Sequence, residues 1–171
     1  MIVVTGTPGT GKTTIARLLA AELGLPFISA NTLIKSKKLH KGMDNGSLVV
    51  DMPALKRELR GFNGIVEGHV LCDLKLQADR VVVLRASPRA IARRLRSRRY
   101  SRKKLEDNLE AEALDYCMIH SLENYPRRKV IQVNTTGRMP SENVRRVLAA
   151  LRSRKSDRVD WSGYFLSHEP F

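Results

Sequence analysis

The chain has 171 residues, a length typical of one domain, and 42% of them are hydrophobic, which argues against a disordered chain. Two cysteines are too few for a disulfide framework, and no apolar run approaches the ~20 residues of a membrane span, so we expect a soluble, cytoplasmic protein with reduced thiols and no membrane partner. The net charge of +14, from 31 Lys and Arg against 17 Asp and Glu, favours polyanions such as nucleotides or RNA.

The first third of the chain alternates predicted strands and helices. A short β-branched run at residues 2–4 predicts a buried strand, which leads through glycines into an amphipathic helix at 13–23. Gly24 then ends that helix, and residues 26–28 predict a second strand. A polar and basic stretch follows at 31–61, and it carries only weak signals of regular structure.

The remaining two thirds continue the alternation. Further buried strands are predicted at 64–66, 81–84 and 130–133. Helices are predicted at 54–60, 88–98, 103–124 and 141–152. Strands that alternate with helices predict an α/β fold with a doubly wound parallel sheet of five strands, and ligands of such sheets bind at the carboxyl ends of the strands.

A phosphate-binding motif follows the first strand. Residues 6–13 read Gly-Thr-Pro-Gly-Thr-Gly-Lys-Thr and fit the G-x-x-x-x-G-K-[ST] pattern of a P-loop. Glycines let the main chain wrap a polyphosphate with its N–H groups, and the start of the next helix adds partial positive charge. We expect Lys12 to reach the β- and γ-phosphates, Thr13 to ligate Mg²⁺, and Thr14 to contact the α-phosphate. The motif therefore predicts a site for ATP with Mg²⁺.

Two polar residues follow the strand at 64–66. A P-loop site needs a carboxylate at the end of a neighbouring strand, and Glu67 directly follows the strand at 64–66. We predict that Glu67 holds magnesium and its water shell. The alternative is a glutamate that only faces solvent. His69, two residues on, is predicted either to orient or activate water or the phosphate acceptor, or to serve only as a hydrogen-bond partner.

Basic residues are concentrated in the next segment, where ten of the twenty residues from 85 to 104 are Arg or Lys. Phosphoryl transfer needs positive charge over the developing transition state. We predict that Arg98, with Arg94 or Arg102, closes over ATP. The remaining basic residues either favour an RNA or ribosomal partner or are simply solvated.

Three segments together resemble the adenylate kinase isoenzyme 6 family, the coilin-interacting nuclear ATPase type, and its archaeal relatives. They are residues 6–14, the Glu67-Gly-His69 triplet, and residues 98–105, Arg-Arg-Tyr-Ser-Arg-Lys-Lys-Leu, followed by Asp107-Asn108. The resemblance covers about residues 1–152. The P-loop is shared by very many families, whereas the acid-x-His pair and the basic segment are more specific.

This resemblance implies a P-loop NTPase of the nucleoside monophosphate kinase type in residues 1–156. A mononucleotide-binding segment would lie near 30–53 and a lid near 99–109. Residues 157–171 form an aromatic tail outside the resemblance. The implied activities are transfer of the γ-phosphate of ATP to AMP or a related monophosphate, and ATP hydrolysis, in a monomer. The implied role is maturation of the small ribosomal subunit, including rRNA 3′-end processing, with a ribosomal protein of that subunit as partner and rRNA as a possible one.

The resemblance also implies roles for individual residues. Lys12, His69 and Arg98 would be catalytic, and Thr13 and Glu67 would hold the metal. The residues that would bind ATP are Gly9, Gly11, Lys12, Thr13, Thr14, Arg98 and Arg138.

The chain departs from the family pattern at three positions. Glu67 stands where many members have Asp, and Arg138 stands where they have Lys. Lys35 stands where the mononucleotide site usually has an arginine, so the planar fork for the acceptor phosphate is absent.

Other interpretations stay open. The chain could be mainly an ATP-switched ribosome assembly factor with little kinase activity, or another small-molecule kinase such as a shikimate, gluconate or cytidylate kinase.

The tail, which has no match in the family, holds Trp161, Tyr164, Phe165 and Phe171. It would dock on its own core or anchor a partner.

Overall fold

The computed structural model describes residues 1–44, 47–96 and 100–165. The strands are β1 (Ile2–Thr5), β2 (Phe27–Ser29), β3 (His40–Asp44), β4 (Ser47–Val50), β5 (Ile65–Glu67), β6 (Arg80–Arg85) and β7 (Val130–Asn134). The helices are α1 (Lys12–Leu23), α2 (Ala30–Ser36), α3 (Met52–Glu58), α4 (Pro88–Leu95), α5 (Arg102–Ala113), α6 (Tyr116–Asn124) and α7 (Pro140–Ser153). Short 3₁₀ turns lie at His69–Asp73, Arg127–Lys129 and Ser162–Phe165.

Five strands form one parallel sheet in the order β2-β5-β1-β6-β7. The central strand β1 pairs with β5 and β6, so that Val3 lies opposite both Val66 and Val81. The predicted α/β class with a five-stranded parallel sheet is confirmed. Because all five strands run the same way, the loops after β1, β5 and β7 meet at one edge, where ligands of such sheets bind.

The sheet is buried on both faces because its strands are apolar at consecutive positions. Val3 packs in a cluster with Leu55 of α3 and Cys117 of α6, whereas its neighbour Val4 packs in a second cluster with α1 and α7. This alternation is the period of two that strand geometry imposes. A parallel sheet covered by helices on both sides is the arrangement that such continuous β-branched runs predict.

Two parts of the chain differ from the sequence prediction. The single helix predicted at 103–124 is two helices, because the chain turns at Asp115, whose φ is 58°. The Asp115 carboxylate pairs with the buried Arg85 of β6, and this contact fixes the break. The weakly patterned stretch at 31–61 contains most of α2 and an antiparallel hairpin of β3 and β4, both of which the sequence analysis missed.

Among residues 1–44, 47–96 and 100–165, the structure contains no helix of the length and apolarity needed to cross a membrane.

Candidate active site

The loop between β1 and α1 has the backbone conformation that a phosphate cradle requires. Gly6, Gly9 and Gly11 have φ values of 138°, 94° and 93°, which side chains on L-residues rarely permit. A Cβ on Gly6 would also lie 2.2 Å from the carbonyl oxygen of Leu84 in β6. The φ values favour glycine at all three positions, and at Gly6 the close approach of the neighbouring strand also requires it.

The carbonyl groups of this loop are held by the surrounding scaffold. The carbonyl of Thr7 accepts hydrogen bonds from the Thr10 hydroxyl at 2.8 Å and from Lys12 Nζ at 3.0 Å. The carbonyl of Thr10 accepts from the Thr135 hydroxyl at 2.9 Å. Because C=O and N–H point in opposite directions across a trans peptide, the N–H of Gly11 is turned away from Thr135. The scaffold thus fixes the loop before any phosphate is bound.

Arg94 of α4 is one of the residues that hold the loop. Its guanidinium donates to the carbonyl of Gly9 at 3.1 Å and to the carbonyl of Thr135 at 2.9 Å. Burial, followed by the charge of Arg93, lowers the pKa of Arg94. Of the two alternatives for a partner of Arg98, Arg94 lies at the P-loop. Arg102 is exposed and pairs with Glu106 of its own helix at 2.8 Å.

The loop is also tied to a buried charge cluster that the sequence analysis did not predict. The Thr7 hydroxyl donates to Glu112 Oε2 at 2.6 Å, and Glu112 Oε1 accepts from Arg85 Nε at 2.8 Å. Arg85 and Glu112 are each only 1% exposed. Burial lowers the pKa of Arg85, but its attraction to Glu112 and Asp115 outweighs burial and leaves that pKa raised.

Arg85 therefore has a different role from the one its sequence neighbourhood indicates. It stands in the basic segment predicted to meet ATP or RNA, but it lies in the core and pairs with the buried carboxylate of Glu112. Exposed members of that group are Arg89, Arg93, Arg96, Arg102 and Lys103. Arg98 lies outside the described residues.

A cavity of about 200 Å³ opens over the P-loop. It is lined by most of the predicted site residues, namely Gly9, Gly11, Lys12, Thr13, Thr14, Glu67 and His69, together with Arg94. Glu67, at the end of β5, is 2% exposed. The hydroxyl of Thr13 and the carboxylate of Glu67 are hard oxygen donors of the kind that Mg²⁺ prefers. These residues therefore fit a magnesium ion that accompanies a polyphosphate.

His69 forms part of the wall between this cavity and the protein interior. Its Nδ1 lies 3.2 Å from the carbonyl oxygen of Gly6 and 3.3 Å from Cys117 Sγ. Burial lowers the pKa of His69, but the hydrogen bond and charge of Cys117 outweigh it, and the net pKa is raised. Cys72 and the imidazole together lower the pKa of the Cys117 thiol well below its ordinary value.

A second cavity of about 630 Å³ lies beside the first. It is enclosed by α2, the β3–β4 hairpin and the start of the 3₁₀ turn, and Lys35 and Lys104 line it. Asn31 and His69 line both cavities, so the two meet at these side chains. Two cavities therefore lie next to each other, one over the P-loop and one under the hairpin.

Arg138 follows β7 and does not line either of these cavities. Its guanidinium bonds the carbonyl of Thr136 at 3.1 Å and pairs with Glu142 at 3.1 Å. Thr136 and Gly137, just before it, line a third cavity of about 940 Å³ between α4 and the C-terminal segment. Trp161 and Tyr164 line the same cavity, so the described part of the tail packs against its own chain.

The chain is similar to known proteins in both sequence and structure. A family model described as an AAA domain matches residues 2–115. The chain is 41% identical over 172 residues to a protein of Thermococcus kodakarensis named "Putative adenylate kinase", with 95% of this chain and 93% of that protein covered. It is 40% identical to a protein of the same name from Methanothermobacter thermautotrophicus, with 97% and 99% covered.

Solved structures of low sequence identity share the fold. Shikimate kinase from Acinetobacter baumannii, solved in complex with shikimate, superposes with a TM-score of 0.65 at 19% identity, covering 91% of this chain and 94% of that one. At this identity the likeness shows the fold alone, which is that of P-loop kinases.

Proposed function

Since the chain belongs to the AAA domain family and to the archaeal group whose members are named "Putative adenylate kinase", we propose that it transfers the γ-phosphate of ATP to AMP and yields two ADP. The family and the fold together support a nucleotide kinase. The specific acceptor, an accompanying ATPase activity and the biological role are the parts that we infer.

The observation that carries the proposal is the meeting of two cavities at Asn31 and His69. A triphosphate held over the P-loop would have its terminal phosphate near this junction. An acceptor held under the hairpin would then present its own phosphate from the opposite side. Phosphoryl transfer depends mainly on holding donor and acceptor in line in a site that excludes water, and adjoining cavities support that arrangement.

Within the first cavity, Lys12 would contact the β- and γ-phosphates as a point charge, and the N–H groups of the loop would bind their oxygens. Thr13 and Glu67 would hold Mg²⁺, whose positive charge offsets that of the phosphates when it is bound. Arg94 already bonds the Gly9 carbonyl, and we assign it to orienting the loop. Arg98 is our candidate for the arginine that closes from the lid.

Within the second cavity, Lys35 is the candidate ligand of the acceptor phosphate. It projects from α2 and lines the cavity together with Asn31. A lysine supplies charge but lacks the planar fork of an arginine, so it holds a phosphate with less control of orientation. We therefore expect transfer to a monophosphate that is slower than an arginine at this position would give.

A second candidate function is supported by charge. The net charge is +14, and Arg89, Arg93, Arg96, Arg102 and Lys103 are exposed on the segment around α4 and α5. Such a surface favours RNA or an RNA-bound particle. We propose that the chain also hydrolyses ATP and acts in maturation of the small ribosomal subunit, including rRNA 3′-end processing, with a ribosomal protein as partner. His69, at the edge of the P-loop cavity, would orient the attacking water.

One experiment separates these possibilities. The purified protein would be incubated with Mg·ATP alone and with AMP, CMP, GMP, UMP, shikimate or gluconate, and both ADP and inorganic phosphate would be measured. ADP formation that requires AMP is the result expected for the kinase, whether or not phosphate is also released. Phosphate release without an acceptor, raised by a small-subunit ribosomal protein, would support the ATP-switched factor.

The same assay has two further outcomes. Turnover that requires shikimate or gluconate would replace AMP with a different substrate class and overturn the proposal. Lys12→Ala is the negative control, because loss of the phosphate-binding charge should abolish both activities. Activity that survives this substitution would belong to a contaminating enzyme.

A further inference from the structure

Three side chains that can bind a soft metal converge beneath the P-loop. Cys72 Sγ lies 3.7 Å from Cys117 Sγ, and Cys117 Sγ lies 3.3 Å from His69 Nδ1. The three donor atoms all lie within 4.8 Å of one another. His69 and Cys72 belong to the 3₁₀ turn after β5, and Cys117 belongs to α6. The cluster therefore joins two elements that are far apart in the sequence, since the two cysteines are separated by 45 positions.

The spacing matches that of ligands around a single ion. Zinc–sulfur bonds of about 2.3 Å at tetrahedral angles separate two sulfurs by about 3.8 Å. Zinc–nitrogen bonds of about 2.0 Å place sulfur and nitrogen about 3.5 Å apart. The observed separations of 3.7 and 3.3 Å are each within a few tenths of an ångström of these values. The third pair, His69 Nδ1 and Cys72 Sγ, lies within 4.8 Å. It would have to close by up to about 1.3 Å for all three donors to bind one ion.

The chemistry of the donors is equally selective. Two thiolates and an imidazole favour zinc or another thiophilic ion over Mg²⁺, which prefers oxygen. Cys72 and Cys117 are 0% and 2% exposed, so an ion bound between them would be largely withdrawn from water. Two thiolates would neutralise a divalent ion, which is what burial requires, while the two thiol protons are released to solvent.

We propose that His69, Cys72 and Cys117 form a binding site for one thiophilic divalent cation of the zinc type. His69 would bind through Nδ1 as the neutral imidazole, and a water or small anion would complete four ligands. Nδ1 also lies 3.2 Å from the Gly6 carbonyl, and Cys117 Sγ lies 3.9 Å from the Thr7 hydroxyl. A bound ion would therefore connect the turn after β5 and α6 directly below the P-loop. The site is separate from the magnesium ligands Thr13 and Glu67.

The direct test is a titration of the reduced, metal-free protein with Co²⁺ and then Zn²⁺. We expect one Co²⁺ per chain, with the near-ultraviolet charge-transfer absorption of thiolate ligands and the visible bands of a four-coordinate ion. Zn²⁺ should displace Co²⁺ stoichiometrically, and binding of either ion to the metal-free protein should release about two protons. Titration of a thiol reagent in parallel should show that Zn²⁺ protects both cysteines.

Variants assign the ligands. Cys72→Ser, Cys117→Ser and His69→Gln should each weaken Zn²⁺ binding by at least about 100-fold, because each removes a protein ligand. His120→Gln is the matched control: its imidazole pairs with Asp73 at 2.6 Å rather than with the cluster, and it should bind Zn²⁺ as the parent chain does.

Three results would overturn the site. The first is Co²⁺ binding without thiolate absorption, and the second is unchanged binding in the two serine variants. The third is that the reduced protein binds neither Co²⁺ nor Zn²⁺, although mild peroxide oxidises its two cysteines to a disulfide. Should a serine variant fail to fold, thiol protection in the unmodified chain still decides the question.

Discussion

The hydroxyl of Thr7 in the P-loop donates a 2.6 Å hydrogen bond to Glu112 of α5, which lies 105 residues further along the chain. The same carboxylate accepts from Arg85 Nε at 2.8 Å, from the Ala86 N–H at 3.0 Å and from Trp161 Nε1 at 3.3 Å. One buried glutamate thus connects the phosphate loop, the end of β6 and the C-terminal segment. These interactions predict that a substitution of Glu112 weakens nucleotide binding at the P-loop.

A double-mutant cycle tests this connection. Glu112→Gln should lower the free energy of unfolding by about 3 kcal/mol, because it leaves the buried Arg85 without a full counter-charge. Thr7→Val should cost about 1–2 kcal/mol, since it removes a donor to a buried carboxylate. The pair should be non-additive in urea denaturation, and both variants should bind Mg·ATP more weakly. Thr32→Val, at an exposed position of α2, is the control that should change neither quantity.

Additive effects of Thr7→Val and Glu112→Gln would show that the two side chains act independently. The hydrogen bond would then have no role in holding the loop.

Gly6 is predicted to be intolerant of even one methyl group. Its φ is 138°, and an added Cβ would meet the Leu84 carbonyl at 2.2 Å. Gly6→Ala should therefore destabilise the fold by several kcal/mol or prevent its formation, and it should abolish ATP binding. Gly24→Ala is the matched control, because its φ of 63° is also positive but no atom in the described part of the chain lies within 4 Å of the added atom. We expect it to cost about 1 kcal/mol, measured by urea denaturation.

Equal losses in the Gly6 and Gly24 variants would contradict the steric argument. In that case backbone conformation alone would explain the requirement for glycine.

Lys35 is predicted to set the affinity for the acceptor. Lys35→Ala should raise the KM for AMP by about 10- to 100-fold, the effect of losing a charged hydrogen bond, and leave the KM for ATP unchanged. Lys35→Arg should leave the KM for AMP as in the parent protein or lower it, because the guanidinium can bind a phosphate with two hydrogen bonds. Lys37→Ala is the control: Lys37 is 52% exposed and pairs with Glu58. A KM for AMP that does not respond to Lys35→Ala would place the acceptor elsewhere.

His69 is predicted to act more on water than on the nucleotide acceptor. His69→Ala should reduce ATP hydrolysis by about 100-fold or more, the range of general acid–base catalysis, and reduce transfer to AMP much less. Initial rates of phosphate release and of AMP-dependent ADP formation, measured on the same preparation, give the comparison. His120→Ala, which removes an imidazole that stacks on Tyr116 outside the cavities, is the control. Equal losses in both activities would argue against activation of water by His69.

The sequence determined the parts of this protein that depend on neighbouring residues. The P-loop is a contiguous motif whose glycines, lysine and threonines must stand next to one another to surround a phosphate. The strands of the sheet are β-branched runs, and their alternation with helices specifies a parallel arrangement. The placement of Glu67 and His69 followed in the same way, because both come directly after a strand whose end faces the ligand edge.

The tertiary structure alone decided what depends on residues far apart in the chain. Arg85 stands among exposed arginines in the sequence, yet it is buried, because Glu112 of α5 and Asp115 at the break after α5 both pair with it. The positions of charged residues in the sequence do not show which of their side chains are buried. No local pattern predicts that Asp115 adopts a φ of 58° to make that contact. Cys72 and Cys117 are also far apart in the sequence, so their contact in the core could not be predicted from local patterns.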